Sequence, residues 1–514
     1  MLASKPSLLT MLFMLLLTVG IFAQPGTLQH ASPESQGVSS AGILDFINAA
    51  EKSKTEFHSF VFLRHGKVVA EGWWNPYAPL LKHSMYSCSK SFTAAAIGFA
   101  IAENKVKLDD KIVDIFPGDL PANVSANLAA LTVKDVLIMS DGQDPDPTTV
   151  IPAKDDWVKE FLATPIVNKP GTKFLYNSMG TYMLSAIVSK VTGQKVIDYL
   201  RPRLFDPLGI KDIDWEVSPQ NINTGGWGLR IQTEGMAKFG QLYLQKGVWN
   251  GKQVLPASWV EDATSMHIMQ DPNAPQGKKD SSDWLQGYCY QMWRCRHNAV
   301  RGDGAFGQYI IMMPDEDAVL AITAETPDMQ DEINLVWQYL LPAMHNGALP
   351  ADAAGDAKLT QKITSLALVP PAKSNISPAI NITGKTFTFG ENEKKIETLM
   401  FSEKGDKIYM GIKNGGKAYS IGFGNGTWLT GTTTLPGPYL VAFEKGFYKG
   451  MPPLQVAGSY RWTDEHTLEL TLRYIESPHT EKLVCSFNGN NISADIFNSF
   501  EYGRHKVTIT GTAQ

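Results

Sequence analysis

The stretch from Ser91 to Ala102 constrains this chain more than any other part of it. Phe92, Ala94, Ala95, Ala96, Ile97, Phe99, Ala100 and Ile101 would put apolar side chains on nearly every side of a helix. A helix that is apolar all round has to be buried inside a large domain. Just ahead of it, in Tyr86-Ser87-Cys88-Ser89-Lys90-Ser91-Phe92, Ser87 and Lys90 stand three positions apart and would share one helical face. A serine at a helix start is commonly just an N-cap, and Ser-x-x-Lys is a short motif. A lysine heading a buried helix is a different matter, because an unpaired charge there is expensive. No other serine in the chain has lysine at the third following position. A hydroxyl is a weak nucleophile and needs a base beside it. Lysine serves as that base when burial lowers its pKa.

The bulk properties set the frame. The chain has 514 residues, 43% hydrophobic and 19% charged, enough for a large core and two or three domains. Net charge is −5, with no basic block to invite nucleic acid or an anionic membrane. At the N-terminus Lys5 precedes an apolar run, Leu8 to Phe22, and then Ala23-Gln24-Pro25. That pattern reads as a signal peptide over 1–23, too short for a comfortable span, so the mature protein is expected to be exported, periplasmic or secreted, and free of the membrane. Cys88, Cys289, Cys295 and Cys485 are too sparse for a disulfide framework. The ten histidines show no metal-ligand spacing, so neither a metal nor another cofactor is expected.

Strand-like Phe60–Leu63 and Val68–Glu71 flank a turn at Arg64-His65-Gly66-Lys67 and read as a hairpin. Helical patterns follow at Leu131–Met139, at Tyr182–Val191 with Gly193 closing it, and at Met236–Gln245. Leu285–Arg296, Gly304–Met313 and Ala318–Thr323 read as strands, and Ile333–Met344 as a helix. Strands at both ends with helices between predict an α/β (α+β) domain over 24–350: one antiparallel sheet from both termini, flanked by helices, with a helical region inserted. An Ala-, Pro-, Asp- and Lys-rich stretch without periodicity gives a linker at 351–378. Period-two segments then run through 379–514, among them Thr467–Tyr474, Lys407–Ile412, Tyr439–Phe443 and Leu483–Phe487, separated by Asn-Gly turns. They predict a C-terminal all-β barrel or sandwich, in which the sequence displays no chemistry.

A serine and lysine pair needs a proton relay and an oxyanion hole. Tyr176, at a Pro-Gly-led turn just before a helix, is a candidate relay, and a cation beside it would lower its pKa. A tyrosine with its hydroxyl satisfied locally is the plainer reading. The glycine-rich turn Arg301-Gly302-Asp303-Gly304-Ala305-Phe306-Gly307-Gln308 lets backbone approach a ligand, so one of its amides could join that of Ser87. A tight hairpin turn would look the same.

The order Met85-Tyr86-Ser87-Cys88-Ser89-Lys90-Ser91-Phe92-Thr93, then Phe174-Leu175-Tyr176-Asn177-Ser178, then Gly304-Ala305-Phe306-Gly307-Gln308-Tyr309 resembles the penicillin-binding-protein-like serine hydrolases. That superfamily includes class C β-lactamases, D-alanyl-D-alanine carboxypeptidases, D-aminopeptidases, esterases and 6-aminohexanoate-dimer hydrolases. The resemblance covers about Ser35 to Met344. It implies a serine β-lactamase-like fold, Ser87 as nucleophile, and Lys90 and Tyr176 sharing the proton work. It also implies an oxyanion hole from the Ser87 and Ala305 amides, with Ser178, Gly302, Asp303 and Gly304 at the substrate. Two departures matter. Ser178 stands where class C β-lactamases carry asparagine, and Gly302-Asp303-Gly304 stands where the family carries Lys-Thr-Gly or His-Thr-Gly. The missing basic residue tells against recognition of a β-lactam carboxylate, with Arg294, Arg296, Arg301 and His297 as candidate replacements.

The expected function is hydrolysis of a small-molecule ester, amide or D-amino-acid peptide through a Ser87 acyl-enzyme, with cell-wall material among the candidate partners. The alternatives are a catalytically retired receptor on the same scaffold, and an enzyme in which Cys88 is the nucleophile.

Overall fold

The computed structural model describes residues 26–513, so the expected signal peptide at 1–23 lies outside the described residues. Strands β1 (Gln29–His30), β2 (Glu56–Arg64) and β3 (Lys67–Trp73) come from the start of the larger domain. Strands β4 (Trp293–Arg294), β5 (Val300–Gly304), β6 (Gln308–Met313) and β7 (Ala318–Glu325) come from its end. They form one sheet in the order β1-β3-β2-β7-β6-β5-β4. Every pairing is antiparallel except the short β1–β3 contact. The two halves join at β2–β7, where Phe62 lies opposite Leu320.

Alternation along the strands assigns the layers. On one face Phe60, Phe62, Ile311, Leu320 and Ile322 pack with Phe46 and Ile47 of α1 (Ser40–Lys52) and with Trp337. On the other, Val61, Leu63, Ile310, Met312 and Val319 share a core with α2 (Ser89–Ala102), α3 (Ser178–Thr192) and α4 (Thr233–Leu244). As its composition requires, α2 is buried at every residue from Ser89 to Ala100. The α3 helix ends where Gly193 adopts left-handed backbone, φ 71°.

Three segments depart from the sequence reading. Leu285–Arg296 is strand only at Trp293–Arg294, because left-handed backbone at Gly287 and Gln291 folds the segment back on itself. Ile333–Met344 splits between α5 (Met329–Leu335) and a wider turn over Val336–Leu340. The stretch read as linker contains α6 (Ala353–Thr364), whose Leu359 joins the α1 core and whose Asp356 accepts from Ser40 at 2.9 Å.

Ten strands between Thr386 and Ala513 form a second sheet. It closes on itself where Lys417–Asn425 pairs with Leu454–Trp462, Gly424 opposite Ser459. Closure decides between barrel and sandwich: this is a barrel, filled by Phe387, Phe401, Leu468, Phe487 and Ile492. Tyr439–Phe443 is not one of its strands. The connection carrying it leaves the barrel, and Tyr439 and Val441 bury in the core of the larger domain. There the Tyr439 hydroxyl donates to Glu216 at 2.8 Å, and the Trp227 indole donates to Glu444 at 3.0 Å. Elsewhere on the interface Arg473 makes a two-pronged contact with Glu56, at 2.5 and 2.9 Å.

Candidate active site

Ser87 lies in a single turn, Tyr86–Cys88, that runs straight into α2. One turn on, Lys90 is 1% exposed. Its Nζ lies 3.2 Å from Ser87 Oγ, 3.0 Å from Ser178 Oγ and 2.7 Å from the Gly226 carbonyl oxygen. Among the described residues no carboxylate pairs with it. Burial therefore lowers its pKa from 10.5 to about 7. A neutral amine has two N–H donors and one lone pair. The Gly226 carbonyl can only accept, and Ser178 can take the second proton. The lone pair is then left for the Ser87 hydroxyl.

Asn177 aligns the second element. As the N-cap of α3 its side-chain oxygen accepts from Met179 and Gly180. Its amide nitrogen donates at 2.9 Å each to Asp141, pushed up to about 7 by burial, and to Gln143. The Ser140-Asp141-Gly142 loop thus pins the start of α3, between Tyr176 and Ser178. The Tyr176 ring stacks on Trp293 at 5.6 Å, and Lys90 Nζ sits 4.9 Å from its centre. The expectation of a lowered Tyr176 pKa fails. Burial pushes the phenol up well past its ordinary value, only partly offset by hydrogen bonding to Ser87. Tyr176 rests as a neutral phenol.

The third element explains its glycines differently from the sequence reading. A Cβ on Gly304 would come within 2.3 Å of the Met85 carbonyl oxygen, and one on Gly302 within 3.1 Å of Ser91 Oγ. Both glycines let β5 close against the turn carrying Ser87. Ser178, expected at the substrate, lies 3.0 Å from Lys90 Nζ. Asp303 is held by Arg301 Nε at 2.8 Å. Two of the candidate basic replacements, Arg301 and Arg296, are committed to carboxylates within the protein. Arg301 is fully buried, bonded to Asp303 and the Asp283 carbonyl and packed on Trp284. Arg296 is paired with Asp283, Arg294 reaches Asn298, and His297 lies against Trp337. Cys88 is fully buried, its thiol donating to the Gln308 carbonyl at 3.0 Å and its pKa pushed up by burial. That thiol is inert.

Sequence reasoning missed Gly226 and the Asn177–Asp141 pair. The Gly225-Gly226 doublet was the available signal, since a Cβ on Gly226 would lie 2.9 Å from the Ser178 carbonyl oxygen and 3.3 Å from Lys90 Nζ.

The family model for beta-lactamase matches residues 53–341. This chain belongs to the beta-lactamase family. Within that family it is similar to the 6-aminohexanoate-dimer hydrolase of Paenarthrobacter ureafaciens, 27% identical over 293 residues, 52% of this chain and 73% of that protein. Penicillin-binding protein 4 of Amycolatopsis lactamdurans is 31% identical over 128 residues, 24% of this chain and 33% of that protein. Among solved structures, a Bacillus anthracis chain named as a candidate 6-aminohexanoate-dimer hydrolase superposes with TM-score 0.53 at 22% identity, covering 64% of this chain and 90% of that one. At that identity the likeness shows the fold alone. Together these matches make the chain a member of the penicillin-binding-protein-like hydrolase superfamily.

Proposed function

We propose that this protein is an exported serine hydrolase that cleaves amide or ester bonds through an acyl-enzyme on Ser87. The observation that carries the reading is Lys90 Nζ at 3.2 Å from Ser87 Oγ, on a buried amine lowered to about 7. At neutral pH about half of such amines are uncharged and able to act as a base. Lys90 takes the hydroxyl proton as Ser87 Oγ bonds to the substrate carbonyl carbon. The oxygen of that carbonyl gains negative charge and is met by the Ser87 and Ala305 amides. The bond to the leaving nitrogen or oxygen then breaks, and the proton reaches that atom through the neutral Tyr176 hydroxyl. Water repeats the sequence on the acyl-enzyme. No cofactor is required.

Arg301 is committed to Asp303, which supports substrates that need no carboxylate clamp. Small esters and simple amides fit that requirement better than β-lactams or D-amino-acid peptides, both of which carry a carboxylate. The Paenarthrobacter relative, a 6-aminohexanoate-dimer hydrolase by name, supports an amide as the bond that is cleaved. The test is labelling with a fluorophosphonate probe, followed by a hydrolysis screen over p-nitrophenyl esters, D-alanyl peptides and nitrocefin. Expected are an adduct on Ser87, its loss in Ser87→Ala, and nitrocefin as the slowest substrate. An unlabelled Ser87 would overturn the reading in favour of a receptor on the same scaffold.

A further inference from the structure

The residues next to the two proposed oxyanion amides share an unusual backbone. Tyr86, which precedes Ser87, has φ 43°, and Phe306, which follows Ala305, has φ 67°. Bulky residues adopt left-handed backbone only where their surroundings hold them there. Both rings meet the same side chain. Phe306 lies edge-on to His479 with centroids 4.8 Å apart, and Tyr86 lies edge-on to it at 5.8 Å. The Tyr86 hydroxyl is 2.6 Å from His479 Nε2, across 393 residues of chain. Tyr86 and Phe306 also meet each other, at 5.4 Å.

His479 belongs to the barrel, in the turn between strands Thr467–Tyr474 and Thr480–Asn488. Its own orientation is fixed from behind. Nδ1 lies 2.9 Å from Glu325 Oε1 at the end of β7, and Ser499 donates to the same oxygen at 2.8 Å. A carboxylate oxygen accepts, so Nδ1 carries the proton and Nε2 remains the acceptor for Tyr86. Tyr86, His479 and Glu325 are all buried. The resulting chain, Tyr86 to His479 to Glu325, crosses from the larger domain to the barrel and back.

We infer that His479 is a positioning residue for the oxyanion hole. It holds Tyr86 and Phe306 in the conformations that aim the amides of Ser87 and Ala305. The barrel is then a working part of the active site, and its contribution falls on the transition state rather than on substrate binding. This inference rests on the serine-hydrolase reading above.

The test uses the full chain, with p-nitrophenyl acetate as substrate and fluorophosphonate labelling of Ser87 as the second readout. Tyr86→Phe removes one hydroxyl and keeps the ring, so kcat should fall about tenfold with KM nearly unchanged. His479→Ala should lower kcat about a hundredfold. His479→Gln keeps an acceptor near the Nε2 position and should recover part of that loss, which a merely structural role would not produce. If His479→Ala does not fold, Tyr86→Phe decides alone. Wild-type kcat in Tyr86→Phe, or losses that only follow the folded fraction in an unfolding assay, would overturn the inference. A wild-type protein whose Ser87 takes no label would instead overturn the reading beneath it.

Discussion

Two cations are buried within the same neighbourhood, and they are treated in opposite ways. Lys90 meets two hydroxyls and a carbonyl but no carboxylate, and burial lowers it to about 7. Arg301 meets Asp303, the Asp283 carbonyl and two tryptophan faces, and it is held charged, its pKa raised by Asp303 and Cys295 against the effect of burial. A buried cation with an anionic partner fixes structure. One without such a partner can lose its proton, and chemistry becomes available. By this contrast the proposed reaction would draw on Lys90, while Arg301 belongs to the scaffold that holds β5 in place.

Substitution to methionine should separate the two. Lys90→Met removes the base and should lower kcat/KM about a thousandfold. It also removes a buried, unpaired amine, so thermal unfolding should occur at the same temperature or higher. Arg301→Met leaves Asp303 buried without its partner and should cost about 3–5 kcal/mol of stability, read from denaturant midpoints. Its folded fraction should keep much of its activity. The contrast breaks if Lys90→Met unfolds easily and Arg301→Met is merely slow.

Smaller changes sharpen the same contrast. Ser178→Ala removes one of the three Lys90 partners and should cost about tenfold in kcat. Because Ser178 helps to stabilise the ammonium, its loss should also move the rising limb of the pH–rate profile, near 7, to lower pH. A last effect is on stability. Below about pH 7 Lys90 is charged in both folded and unfolded states, and the fold bears the full cost of burying it. As pH rises from about 7 to 10.5 only the unfolded chain remains protonated, and that cost is lifted. This contribution to stability should rise with pH in the wild type and be absent in Lys90→Met.

Legibility from sequence followed the range of the interactions. The α2 helix could be read because its composition leaves it nowhere to go but the interior, and the β2–β3 hairpin because its turn residues are local. Ser87 and Lys90 were visible together because a helix brings i and i+3 into contact. Leu285–Arg296 misled because its apolar residues imitate a strand while Gly287 and Gln291 turn the chain back. Tyr439–Phe443 misled for a related reason: Tyr439 and Val441 are buried against another domain rather than within the barrel. The glycines of β5 were noticed, but their purpose depends on Met85 and Ser91, distant neighbours that no local pattern reveals. His479 carried no signal at all, since its partners lie in Tyr86, Phe306 and Glu325.

If a neutral Lys90 activates Ser87, the rate of Ser87 acylation must follow the titration of that amine. A fluorophosphonate or p-nitrophenyl ester should acylate Ser87 at a rate that rises with pH through a single limb near 7 and then levels off. A rate independent of pH across that region, or one still climbing toward the ordinary lysine value of 10.5, would contradict the account.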